Sequence, residues 1–343
     1  MTATAKRTIF IDPSSKAYYR DKLFDLSDPL LNRDDTLAPF GRVRSYLGER
    51  NIDIHTADYL LADASHAACD YYSIGLLENY PELQARKNVR LRGFIIMEPP
   101  VTAPRLYRAL PELTAAFERV YVHNTFGDGY SLKGVDQSRL HKFHWPQPYM
   151  HVLEPHWSNS ARQDRIVVIN GNHMPRSFSG ELYSKRIEAM ASLAKDGFVD
   201  LYGRGWEKWW SPESMWPAYW KNRRTLLSIH RGSCRSKIET LSQYRFCLCF
   251  ENMAMQGYVT EKIFDCLYAG TIPLYLGAKD IENLIPSDAY VDCRRFGSWN
   301  EMREAAMKMT TQEIQAMREA GRAFLENGRG SDYYNSLISL LLG

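Results

Sequence analysis

Residues 244–277 read YRFCLCFENMAMQGYVTEKIFDCLYAGTIPLYLG. Phe246–Phe250 is an apolar run of strand length, and Ile272–Leu276 is another. Between them Thr260–Tyr268 has helical patterning and is closed by Gly270. Strand, helix and strand in so short a span form the repeating unit of a parallel sheet covered by helices.

The same alternation extends in both directions. Downstream come a strand at Tyr290–Val291, helices around Trp299–Lys308 and Gln312–Glu326, and an apolar tail, DYYNSLISLLLG, with the content of a packing helix. Upstream, Ile166–Ile169 and Val199–Tyr202 read as strands, and Leu182–Lys195 and Ser236–Ser242 as helices. The first half carries strands at Thr8–Ile11, Ile52–His55, Tyr71–Ile74, Leu91–Met97, Val120–His123 and Lys142–Trp145. Helical stretches there include Phe40–Glu49 and Pro104–Glu112. Between the two series the texture changes to PQPYMHVLEPHWSNSARQD, a linker-like composition. The expected architecture is α/β, with two Rossmann-like domains facing a cleft. The first spans 1–155 and the second 156–330, and a helix at 331–343 returns to the first. Open α/β sheets bind ligands beyond the carboxyl ends of their strands.

Composition narrows the class. The chain has 343 residues, long enough for two ordinary cores, with 45% hydrophobic and 24% charged residues. A net charge of +3 makes no strong case for nucleic acid. Six scattered cysteines do not form a disulfide framework and read as buried free thiols in a reducing compartment. The opening MTATAKRTIFIDPSSK lacks the apolar stretch of a signal peptide, and no apolar run reaches the ~18 residues of a membrane span. The chain reads as cytoplasmic, with peripheral contact at the inner membrane left open.

The chemistry concentrates after Phe250. A buried strand delivers Glu251 and Asn252 at its carboxyl end. Thr260 stands where an N-cap belongs, and Glu261 suits the first turn of the helix. Lys262 is the unfavourable residue there, unless an anion such as a phosphate lies between it and the helix terminus. Simple capping is the alternative for Glu261 and Lys262, and a buried carboxylate paired with an arginine is the alternative for Glu251.

This stretch resembles the fucosyltransferases of glycosyltransferase family 10, the α1,3/α1,4 group. Their signature is present as Phe250-Glu251-Asn252, Tyr258-Val259-Thr260-Glu261-Lys262 and Ile272-Pro273-Leu274-Tyr275-Leu276-Gly277. Met253 and Gly257 depart from the animal pattern and agree with bacterial-type members. Weaker similarity runs from about Ile166 to about Phe296. The resemblance implies the GT-B architecture and a GDP-sugar site in the second domain.

Under that resemblance Arg186 contacts phosphate, a role that suits its two parallel donors; an exposed helix arginine is the alternative. Asn172, in the turn VVINGN, is a candidate polar contact. Arg204, in LYGRGW, faces either nucleotide or solvent. From Arg204 to Lys237 there are eight basic residues, opposed by Glu207 and Glu213, with Trp206, Trp209, Trp210, Trp216 and Trp220 interleaved. Such a surface suits a diphosphate, a sugar or an anionic membrane, or else is a solvated face with anchored tryptophans. Lys237 matches a family lysine near the diphosphate.

In the first domain RGFIIMEPP ends a strand in a carboxylate, Glu98, after which two prolines turn the chain away. The resemblance places the catalytic base here. Sugar transfer needs a group that takes the acceptor proton, and partial burial lifts a carboxylate toward that task; turn capping is the alternative role.

No Asp-x-Asp, no His-x-x-x-His and no P-loop occurs, so neither a metal nor any other cofactor is expected, and GDP-fucose counts as a substrate. The whole reads as an inverting, metal-independent fucosyltransferase that moves L-fucose from GDP-β-L-fucose to a glycan hydroxyl. Glu98 is the base. Asn172, Arg186, Arg204, Lys237, Glu251, Asn252, Tyr258, Thr260, Glu261 and Lys262 serve the donor. Glu261 would hold the ribose hydroxyls and Tyr258 would pack near the guanosine. The acceptor would be a bacterial surface polysaccharide, lipid-linked in some relatives. The alternatives are a transferase for another GDP-sugar, or a non-catalytic nucleotide-sugar or nucleic-acid binder on the same fold.

Overall fold

The computed structural model describes residues 7–208 and 216–343. Trp209, Trp210 and Glu213 of the basic, aromatic stretch lie outside them. The chain divides into two compact units, residues 1–148 with 332–343, and residues 149–331.

The first unit is a six-stranded parallel sheet. Its strands are β1 (Arg7–Asp12), β2 (Ile52–Thr56), β3 (Cys69–Ile74), β4 (Val89–Ile95), β5 (Arg119–Val122) and β6 (Leu140–Lys142), in the order β2-β1-β3-β4-β5-β6. Every residue of β3 is buried. A parallel sheet needs cover on both faces, so its inner strands carry no polar alternation. One face packs on α1 (Ala38–Gly48) through Phe40, Val43 and Leu47. The last helix joins that core through Leu337, Leu340 and Leu341. The other face packs on α3 (Tyr80–Gln84) and α5 (Leu110–Ala116), with a short α2 (Ala57–Ala62) beside β1. The stretch Pro104–Glu112 is two helices, α4 (Pro104–Arg108) and α5, rather than one. Pro111 stands in the first turn of α5, where its missing N–H costs nothing; inside a continuous helix it would break a hydrogen bond.

The second unit repeats the plan. Strands β7 (Gln163–Ile169), β8 (Val199–Tyr202), β9 (Tyr244–Phe250), β10 (Ile272–Leu276) and β11 (Val291–Asp292) are ordered β11-β10-β9-β7-β8, all parallel. Helices α6 (Tyr183–Ala194), α7 (Pro217–Ile229), α8 (Lys237–Leu241), α9 (Glu261–Ala269), α10 (Trp299–Lys308) and α11 (Thr311–Asn327) flank or follow them. Then come α12 (Gly330–Tyr334) and α13 (Ser336–Leu342). Residues before β7 already belong to this unit: Leu153 N donates to Tyr268 O, and the Tyr268 hydroxyl donates to Tyr149 O.

In each unit the chain steps from its first strand to one side and then crosses to the other. The order reverses between β1 and β3, and again between β7 and β9. Loops leaving two such strands diverge, and that opens a crevice at their carboxyl ends.

Helix α7 was not foreseen. Its residues PAYWKNRRTLLSI read as a basic, aromatic surface. In fact Tyr219, Leu226 and Ile229 face inward while Trp220 is 42% exposed. Trp206 and Trp216 are buried. Five cysteines are buried, Cys234 is half-buried, and all six are free.

Candidate nucleotide-sugar site

The β7/β9 crevice collects most of the candidate residues. Glu251 leaves β9 fully buried. Its backbone N–H donates to Leu276 O at 2.8 Å, which extends the ladder to β10 by one bond. Its carboxylate accepts from Thr260 N and Thr260 Oγ1, both at 2.8 Å, and from Lys262 Nζ at 3.1 Å. The alternative reading of Glu251 as a buried, paired carboxylate thus describes its surroundings, with lysine in place of arginine. Gly277 makes the space: a Cβ there would lie 2.5 Å from Glu251 Cγ and 2.4 Å from the Tyr275 hydroxyl.

From Glu251 a chain of alternating charges runs outward. Lys262 Nζ lies 3.8 Å from Glu261 Oε1, and Lys237 Nζ lies 3.9 Å from the same oxygen and 3.0 Å from Asp265 Oδ2. Burial works to raise the Glu261 carboxyl, but Lys262 and Lys237 outweigh it, and the group is held down to about 2. For Lys237, burial opposes the charge while Asp265 and Glu261 favour it, and the amine ends above its ordinary value. Lys237 therefore stays cationic at neutral pH. Asp265 escaped the sequence reading, although it sits one turn after Glu261 on the same face of α9, and that spacing was the available signal.

Arg186 projects from α6 beneath the end of β9 and is 3% exposed. Its Nη2 donates to Phe250 O at 2.6 Å and Glu251 O at 2.9 Å. Among the described residues its Nε has no hydrogen-bond partner and no carboxylate forms an ion pair with it. Burial pushes the guanidinium below its usual value, and Tyr183 and Glu251 partly restore it. Arginine nevertheless keeps its charge. A buried cation hydrogen-bonded to carbonyls and lacking an ion-paired carboxylate is costly unless an anion joins it.

Neighbouring loops are zipped together. Leu182 N donates to Asn252 O at 3.0 Å, and Ala254 N to Gly180 O at 2.9 Å. These two backbone hydrogen bonds join the turn before α6 to the loop after β9. Glu181, absent from the sequence reading, caps α6 through Ser184 N at 2.9 Å.

A second cluster lies past β7 and β8. Asn172 is buried; its N–H donates to Arg204 O at 2.9 Å, and its Oδ1 has no hydrogen-bond partner among the described residues. Gly203 allows this approach, since a Cβ there would fall 1.9 Å from Asn170 O. The Arg204 side chain is on the surface. Arg231, from the basic stretch, is spent on Asp200 at 2.8 Å.

Tyr258 and Thr260 are buried at 0% and 1% exposure. They brace the site from within, whereas Lys237, Glu261 and Lys262 keep accessible side-chain surface. Glu98 stands in the first unit, half-buried just past the end of β4. Among the described residues no helix is long and apolar enough to cross a membrane.

Comparison with known proteins points the same way. Residues 177–318 match the profile "Glycosyltransferase family 10 (fucosyltransferase) C-term". Over 157 residues the chain is 32% identical to human alpha-(1,3)-fucosyltransferase 7, covering 44% of this chain and 37% of that protein. Over 67 residues it is 42% identical to the Helicobacter pylori alpha-(1,3)-fucosyltransferase FucT, covering 20% of this chain and 14% of that one. The matched stretches thus span well under half of those relatives. A solved alpha1,3-fucosyltransferase with GDP-fucose shares the fold at a TM-score of 0.51 and 13% identity, covering 94% of this chain and 84% of that one. The architecture is GT-B, and residues 177–318, which hold the β7/β9 crevice walls from Arg186 to Lys262, are similar to the C-terminal domain of the glycosyltransferase family 10 fucosyltransferases.

Proposed function

We propose that the protein is an inverting fucosyltransferase of the α1,3/α1,4 type, with GDP-β-L-fucose as donor and a glycan hydroxyl as acceptor. One observation carries the reading. At the carboxyl end of β9, Arg186 is buried with no carboxylate in ion-pair contact among the described residues, and two further cations, Lys262 and Lys237, follow along α9 and α8. A diphosphate supplies the missing negative charge. The crystallised relative with GDP-fucose supports guanine-nucleotide sugar as its source.

In the reaction the Glu98 carboxylate takes the acceptor hydroxyl proton as the oxygen bonds to the anomeric carbon of fucose. The bond from that carbon to the diphosphate oxygen breaks, and its electron pair leaves with GDP. Attack from the opposite face turns the β-linkage into α. Arg186, Lys262 and Lys237 neutralise the departing diphosphate with fixed charge, so no metal ion is needed for this step. Glu261, ionised at any physiological pH, accepts hydrogen bonds from ribose hydroxyls. Glu251, Thr260 and Tyr258 hold these groups in place from below, and Asn252, Asn172 and Arg204 border the crevice.

The test is a donor panel of GDP-fucose, GDP-mannose and UDP-glucose with saccharide acceptors, scored by released nucleotide, with and without EDTA. The reading expects release from GDP-fucose alone, unchanged by EDTA. Equal use of all three donors would refute it, and loss of activity with EDTA would refute its metal-free step.

A further inference from the structure

The backbone that carries Glu98 is tied down by side chains rather than by its sheet. β4 and β5 pair through Gly93↔Arg119, Phe94↔Val120 and Ile95↔Tyr121, and the last rung is Ile96 N to Tyr121 O at 2.9 Å. Beyond it Met97 and Glu98 leave the ladder. Their carbonyls still need donors, because a buried carbonyl without one is costly.

His123 supplies the first. It follows β5 directly, is 1% exposed, and brings Nε2 within 2.6 Å of Met97 O. A carbonyl only accepts, so Nε2 carries the proton. The ring packs 4.9 Å from Phe143 and nearly parallel to Trp145 at 6.4 Å. Burial pushes the imidazole down to about 4, so it is neutral at pH 7 and its single ring proton is the one on Nε2. Tyr107 supplies the second: from α4, itself buried, its hydroxyl donates to Glu98 O at 3.1 Å. Two successive carbonyls are thus pinned from opposite neighbours, and Pro99 and Pro100 restrict the chain that follows.

We propose that His123 and Tyr107 are positioning residues for Glu98, acting through the Met97 and Glu98 carbonyls to fix where the carboxylate stands. This rests on the reading of Glu98 as the base. Neither residue touches substrate in this account. A catalytic group displaced by about 1 Å loses on the order of 100-fold in rate. Loosening the strand end therefore lowers kcat and leaves donor binding, which belongs to the other unit, unchanged.

The experiment compares His123→Leu, His123→Gln, Tyr107→Phe and Glu98→Gln in the full chain, reading kcat, KM for GDP-fucose and the thermal unfolding midpoint. Gln places an amide donor near the Nε2 position; Leu places none. The expected result is a kcat about 10- to 100-fold lower for His123→Leu, an unchanged KM for GDP-fucose, and recovery of most activity in His123→Gln. Tyr107→Phe, which removes one hydroxyl, should lose several-fold in kcat and decides the matter if His123→Leu does not fold. If Glu98→Gln is inactive while the positioning variants turn over normally, or if His123→Gln is as slow as His123→Leu, the inference fails alone. If Glu98→Gln turns over normally, the base assignment fails and this inference with it.

Discussion

Lys262 Nζ lies 3.1 Å from Glu251 Oε2, a carboxylate with no solvent-exposed surface. The pair joins the end of a central strand to the first turn of the helix that follows it. Glu251 offsets the repulsion a lysine would feel at a helix N-terminus, and the Lys262 side chain keeps some accessible surface. Replacing Lys262 by Ala should weaken GDP binding by about 1.5–3 kcal/mol, the range for a hydrogen bond to a charged group. It should also lower stability, because Glu251 loses the one ion-pair contact it makes among the described residues. Calorimetric titration with GDP and urea unfolding measure the two effects. Unchanged GDP affinity would show that the diphosphate does not use Lys262.

Arg186 is expected to couple ligand binding to stability. A ligand that binds only the folded state at 100 times its Kd raises stability by about 2.7 kcal/mol. Wild-type protein should show a GDP-dependent rise in unfolding midpoint, and Arg186→Met should show little rise at the same GDP concentration. Lysine at this position should not restore it, since one ammonium lacks the forked donors that serve two carbonyls and a phosphate together. A full midpoint rise in Arg186→Met would remove Arg186 from the donor site.

The close approach at Gly277 sets a packing test. In Gly277→Ala the new methyl would press on the Tyr275 hydroxyl and the Glu251 stem. Overpacking of this kind costs about 1–3 kcal/mol. Urea unfolding should show that loss, and GDP titration should show weaker binding because Glu251 carries Lys262 with it. A variant of normal stability and normal affinity would mean that the loop gives way without consequence.

Acid should act on the charge chain with a defined sign. Glu261 is held down to about 2 against an ordinary 4.5, so its contribution to stability is full above 4.5 and is lost as pH falls through 2. The stability difference between wild type and Glu261→Gln should therefore be constant at neutral pH and shrink between about 4.5 and 2. Urea unfolding as a function of pH measures it. A difference that vanishes well above pH 4.5 would show that the lysines do not hold this carboxylate.

Much of this was legible in the sequence where one local pattern controls the outcome. The bounds of β10 and α10 coincide with the expected Ile272–Leu276 and Trp299–Lys308, because an apolar burst and a Ser298 N-cap mark them. Gly270 closes α9 in a left-handed conformation, as its place after the helix implied. Helix α7 was hidden because its buried residues are interleaved with cations and an exposed tryptophan, so no clean apolar stripe stands out. Partners brought together by the fold were hidden as well. No spacing rule links Lys237 to Asp265, or Arg186 to the carbonyls of Phe250 and Glu251. The burial of Tyr258 follows from how the β9–α9 loop folds inward, which composition does not record. His123 gave no signal because its role depends on β5 lying beside β4.

The most direct test of the central claim is a crystal structure of the protein soaked or grown with GDP. The account predicts diphosphate oxygens at the carboxyl ends of β7 and β9, within about 3 Å of the Arg186 guanidinium and the Lys262 ammonium, with Glu261 on the ribose. Diphosphate density at any other place, with Arg186 still bonded to its two carbonyls and to no phosphate, would contradict it.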